Sequence, residues 1–197
     1  MTVFSTRCCR SFNLLGALFG LWLAAMTATI FCAPVHAQGI ELKKAVVTIA
    51  DDAYLIDAQF EIVLTPTLED VLSKGVPLYF MLDFELIRPR WYWFNDRAAS
   101  LQQQYRLQYN ALTRQYRLGL GKLYQNFPTL EEALDVMSRV RRRQEVEPGA
   151  LRRDASYIAA IRMRLDTSQL PKPFQLSALA SREWQINSDW YRWAVNP

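Results

Sequence analysis

The stretch Ala53-Tyr54-Leu55-Ile56-Asp57-Ala58-Gln59-Phe60-Glu61-Ile62-Val63-Leu64 alternates apolar and polar residues with a period of two. Tyr54, Ile56, Ala58, Phe60, Ile62 and Leu64 fall on one face of an extended chain, and Asp57, Gln59 and Glu61 on the other. Only a β-strand with one packed and one wet face has that period. Upstream, the alternation starts at Leu42 and runs through Val47 and Ile49 to Asp51-Asp52, two residues suited to a turn. The two runs therefore read as a β-hairpin, and an antiparallel sheet with one solvated side is the expected frame.

Working downstream, Thr65-Pro66 opens a short helix, because proline at the first helical position gives up no needed donor and Glu69-Asp70 sit at the positive end of the dipole. Gly75 closes it. Leu78, Phe80, Leu82, Phe84 and Leu86 return to strand alternation, with Tyr79, Asp83 and Glu85 outward. Arg90 to Phe94 reads as an aromatic strand turning at Asn95-Asp96. Tyr105, Leu107 and Tyr109 pair through a turn near Asn110 with Tyr116 and Leu118, and Gly119 and Gly121 suggest a bulge or bend. Thr129-Leu130-Glu131-Glu132 has the form of a capping box, with an apolar stripe through Leu130, Ala133, Leu134, Met137 and Val140 that fades near Arg143. Tyr157 to Leu165 alternates against Arg162 and Arg164. Pro171 and Pro173 break it, a short helical turn follows, and a Trp-rich last strand runs from Arg182 to Val195. The sum is a mainly β fold: an antiparallel β-sandwich, immunoglobulin-like, with about two inserted helices. A partly open barrel is compatible with the same strand count.

The first 37 residues have the layout of a secretory signal. Arg7 and Arg10 make a basic start, an apolar run of about 18 residues from Leu14 to Phe31 follows, and Val35-His36-Ala37 supplies the small residues for cleavage between Ala37 and Gln38. The chain is thus expected as a signal peptide, 1–37, and a single β-rich periplasmic domain, 38–197. The competing reading is an uncleaved inner-membrane anchor, since the apolar run just reaches bilayer length. Phe31 before Cys32 argues against lipidation. Cys8, Cys9, Cys32 and His36, the only cysteines and histidine, all precede the cut. An exported form without imidazole or thiol excludes Ser-His-Asp and Cys nucleophile chemistry, histidine phosphorelay, and zinc, haem or iron–sulfur sites of the usual ligand sets. No cofactor or metal is expected. A domain of about 160 residues buries roughly 70% of its unfolded surface, enough for a core without disulfides. Losing Arg7 and Arg10 lowers the formal charge from +4 to +2, which removes the main support for a nucleic-acid partner.

Several short segments, taken in order, resemble a known family: Ile40-Glu41-Leu42 opening the hairpin, Gly75-Val76-Pro77-Leu78 ahead of the Phe84 strand, Arg90-Trp91-Tyr92-Trp93, and the closing Ser188-Asp189-Trp190. The family is that of short exported proteobacterial proteins termed domain of unknown function 4390, and the resemblance covers nearly all of 38–197. It implies an exported, envelope-associated domain, suggests the periplasmic region of a membrane sensor kinase of the nitrogen-regulation type as partner, and supplies no catalytic residues.

The residues themselves nominate four constellations. Arg90, Trp91 and Trp93, together with Trp190 and Arg192, could form a binding surface in which indoles stack on a sugar or a partner's side chain and guanidinium groups add hydrogen bonds or cation–π contact. The plainer reading is sheet stabilisation, with the C-terminal strand laddered against residues 90–94. Arg139, Arg141, Arg142 and Arg143, followed by Arg152 and Arg153, form a basic patch for an acidic partner or anionic lipid, or else a solvated helix end. Asp83 and Glu85, about 7 Å apart along one strand face, could serve as an acid and base on a glycoside, or simply line a wet face. Asp51-Asp52 is a turn, or part of a weak calcium site. The expected function is a non-enzymatic periplasmic or envelope interaction domain modulating a sensor kinase or another envelope complex, in possible contact with the membrane surface. The alternatives are a glycan- or lipid-binding module using exposed Trp and Arg, and, more remotely, a carboxylate-only hydrolase.

Overall fold

The apolar row Tyr54, Ile56, Ala58, Phe60 and Ile62 shares one core with a second row, Phe80, Leu82, Phe84 and Leu86, and the two rows are inner faces of two antiparallel sheets. The Tyr54 and Phe84 rings stack across the gap with centroids 5.3 Å apart. In a computed structural model of the chain, the described residues are 39–50, 53–89, 96–146, 151 and 155–195. Residues Ala37–Pro197 form one compact unit.

The first sheet has three strands, β1 (Gly39–Ala50), β2 (Ala53–Val63) and β7 (Arg139–Glu145), in the order β1-β2-β7. The second has six: β3 (Leu78–Arg88), β4 (Asp96–Asn110), β5 (Gln115–Leu120), β6 (Leu123–Phe127), β8 (Tyr157–Leu165) and β9 (Tyr191–Val195), in the order β6-β5-β4-β3-β8-β9. Among the described residues the result is a mainly β, two-sheet antiparallel arrangement, with no closure into a barrel. Three helices are inserted among the described residues, α1 (Pro66–Ser73), α2 (Leu130–Ser138) and α3 (Lys172–Ala180), the last where only a helical turn was expected.

Helix starts follow their caps. The Thr65 hydroxyl accepts from the Leu68 amide and donates to the Glu183 carbonyl at 2.9 Å, so one side chain both caps α1 and ties it to the turn Arg182–Trp184. Thr129 accepts from the Glu132 amide at the start of α2. Gly75 leaves α1 at φ +84, a left-handed conformation that favours glycine.

Four expectations need correction. Residues 139–145 are a strand and not the fading end of α2. The helix stops at Ser138, whose hydroxyl bonds the Asp135 carbonyl, and Arg139 is already extended. Extension lets Val140 bury against Ala58 and sets Arg141 opposite Asp57, gains a helical continuation would forgo. The last strand is short: Arg182–Trp184 is a 3-10 turn, Asn187 makes a single bridge to Arg164, and only Tyr191–Val195 is strand, paired with β8. The hairpin arm read from Tyr105 begins much earlier, at Asp96, and β6 was not foreseen at all. Finally, Asp83 does point away from the core, yet it is only 4% exposed.

Candidate functional site

Because Phe80, Leu82, Phe84 and Leu86 turn inward, the pleat puts Tyr79, Met81, Asp83 and Glu85 on the outer face of β3. The register then fixes their neighbours. Asp83 lies between Gln102 on β4 and Arg162 on β8, Met81 between Gln104 and Arg164, and Glu85 between Ser100 and Ala160. Ala160 in turn faces Arg192 on β9.

Asp83 is buried by its own partners. Its Oδ2 accepts from Nε of Arg162 at 2.9 Å and Nε of Arg164 at 3.1 Å, and its Oδ1 accepts from Gln102 at 3.1 Å. A carboxylate removed from water needs such compensation. Glu85 pairs with Arg97 at 3.1 Å. A cavity of about 400 Å³ lies over this set, lined in part by Asp83, Glu85, Arg97, Gln102, Arg162 and Trp190.

The arginines of this face lean on aromatic rings. Arg162 lies over Trp190 at 4.5 Å and Arg192 over the same ring at 5.8 Å. Arg106 lies over Tyr79 at 5.8 Å, and Arg117 over Tyr124 at 5.1 Å. Tyr124 can lie flat there because its β5 neighbour is Gly119, where a Cβ would come within 2.7 Å of the ring. Every cation–π contact among the described residues is on this one face. Trp190 and Arg192, nominated from the sequence, are thus brought together with Asp83 and Glu85. Arg97, Arg106, Arg117, Arg162 and Arg164 were not nominated as site residues. The signal for two of them was present: Arg162 and Arg164 alternate on one strand as Asp83 and Glu85 do on another, with opposite charge.

Other nominated residues fare differently. Arg90, Trp91 and Trp93 lie outside the described residues, as do Ala37, Gln38, Arg152, Arg153 and Asp51-Asp52. The basic run on β7 does not make a single face. Arg139 binds both oxygens of Asp135, at 2.7 and 2.6 Å, and Arg141 reaches Asp57 at 3.0 Å. Arg142 shares the inward side with Ile56 and donates to Gln103 of the other sheet at 2.6 Å, leaving Arg143 exposed. Trp184 is core, 5.9 Å from Phe174 of α3. Among the described residues no group of three His, Cys, Asp or Glu could hold a metal ion, and no helix is long and apolar enough to cross a membrane.

This chemistry defines a class: a two-sheet β domain whose outer surface carries arginines held on rings and around one buried carboxylate. The family model for a domain of unknown function, DUF4390, matches residues 37–194, and the chain belongs to that family. No curated protein and no solved structure matches it.

Proposed function

We propose that this is a non-enzymatic binding domain of the cell envelope, exported by its N-terminal signal, that acts at the membrane on a sensor kinase or another envelope complex. The observation that carries this reading is the arginine–aromatic face. Guanidinium groups stacked on rings keep their charge and much of their donor capacity, and they are held in place before any partner arrives.

The carboxylates support a binding role over hydrolysis. Both oxygens of Asp83 are occupied by Arg162, Arg164 and Gln102, and Glu85 is paired with Arg97, so neither stands ready to exchange a proton with a substrate. The match beginning at residue 37 supports export, since it leaves the apolar leader outside the shared domain. Of the two ligand-binding alternatives, a stacked sugar is disfavoured because guanidinium groups already lie over Trp190, whereas an anionic lipid matches the charge. In-cell crosslinking and pull-down from envelope fractions are expected to recover a membrane complex; recovery solely as an unbound monomer contradicts the proposal.

A further inference from the structure

The outer face of the six-stranded sheet spans β6 to β9, five strand spacings or about 24 Å. Within these strands Arg97, Arg106, Arg117, Arg162, Arg164 and Arg192 stand against Asp83 and Glu85 on this face, a net of +4. Negative charge collects elsewhere, as in the groove of about 760 Å³ along β2 and α2, where Glu61, Glu69, Glu131 and Asp135 outnumber Lys43.

The donors are also directed. Asp83 takes the Nε of both Arg162 and Arg164, and no partner among the described residues takes their terminal amines. Each side chain is about a third exposed, at 33%. An anchored guanidinium with a free terminal edge is the standard geometry for a tetrahedral oxyanion. Arg106, Arg117 and Arg192 repeat single positive charges across the sheet, each on a ring. Rings and cations interleaved in this way suit the amphipathic headgroup layer of a bilayer.

A protein partner would call for an apolar anchor at the centre. In these strands the exposed large apolar side chains are Leu123, Tyr124 and Tyr191. Leu123 and Tyr191 share the register of the inner face, opposite Leu120 and Ile161, which leaves Tyr124, and its ring lies under Arg117.

We infer that this face docks on the phosphate groups of an anionic membrane surface, the proton-free headgroup oxygens being held by Arg162, Arg164 and Arg192 and the ring-backed Arg106 and Arg117. The inference rests on the same face being the binding face. Protein purified from its native compartment should partition more strongly onto vesicles of equal parts phosphatidylglycerol and phosphatidylcholine than onto pure phosphatidylcholine, and the preference should fade with salt. Any preference that Arg7 and Arg10 add is common to the wild type and the variants, so the change between them reads this face. Arg106→Gln, Arg117→Gln and Arg192→Gln leave Asp83 paired, and each should lower the preference about five-fold, so that the triple variant loses on the order of a hundredfold. Arg143→Gln, on the other sheet, should leave it unchanged.

Equal partition onto the two vesicles, retention of the preference by the triple variant, or its loss on Arg143→Gln overturns the inference. So does saturable binding of inorganic phosphate at this face without vesicle preference. Crosslinks from this face to an acidic protein, with no vesicle preference, would remove the lipid and keep the binding domain. Failure of both crosslinking and vesicle binding would remove both.

Discussion

Asp83 is where chemistry and packing meet. It could have been one half of an acid–base pair, but two arginines hold it as a charged strut. Asp83→Asn keeps the shape and removes the charge on which Arg162 and Arg164 converge. Those partners are partly solvated, so the expected loss is about 2 kcal/mol in urea unfolding, below the value for a fully buried ion pair. An unchanged midpoint would contradict the strut. Tyr54 poses the opposite case: its hydroxyl is buried among the described residues with no hydrogen-bond partner. Tyr54→Phe should therefore be neutral or stabilise by up to about 1 kcal/mol, and a clear loss of stability would show that a partner exists. Burial pushes the phenols of both Tyr54 and Tyr105 above the ordinary 10.0, with the Arg142 charge opposing it for Tyr105. The native state thus favours the neutral phenol, and its contribution is full below pH 10.0 and lost as pH rises through the raised values. Urea midpoints measured against pH should decline above that point, less steeply in Tyr54→Phe. Sequence alternation correctly set Asp83 on the outer side. It could not show burial there, because the cover comes from Arg162 and Arg164 on β8 and Gln102 on β4, brought to Asp83 by strand pairing.

At the scale of elements, legibility followed amphipathicity. β2, β3 and β8 each bury one face completely, so a period of two marks them plainly, and the starts of α1 and α2 were marked by Thr65-Pro66 and Thr129. β6 has four exposed residues in five, and the first half of β4 holds Leu101 as its one large apolar residue, so neither carries an apolar period. β7 misled because Val140 fits both the helical stripe of α2 and a strand buried against Ala58. Only the partner strand decides between them, and a helix signal within one segment cannot contain that information. Val140→Ala separates the two. In a helix it would raise propensity, whereas in β7 it empties core space and should cost about 2 kcal/mol. Stabilisation in a denaturant melt would contradict the strand. Thr65→Ala should likewise cost about 1 to 2 kcal/mol, since the hydroxyl caps α1 and holds the Glu183 carbonyl.

For the whole molecule, what matters is that the two outer surfaces of the sandwich differ. The three-stranded sheet shows ion pairs such as Arg141 with Asp57 and Lys43 with Glu61, while the six-stranded sheet shows unbalanced arginine on aromatic rings. Trp190 and Arg192 were legible as a cluster rich in Trp and Arg. The rest of the face was not, because it is assembled by register from six strands, and no local segment holds more than two of its charges in alternation. The account turns on which side of the sandwich meets the envelope. Oxidative footprinting, read by mass spectrometry on the protein in its native envelope and again after release, compares the sides directly. Tyr124 and Trp190 should be protected in the envelope, while Val46 and Leu55, exposed on the three-stranded sheet, label equally in both states. Protection of Val46 and Leu55 with Tyr124 and Trp190 left open would contradict it.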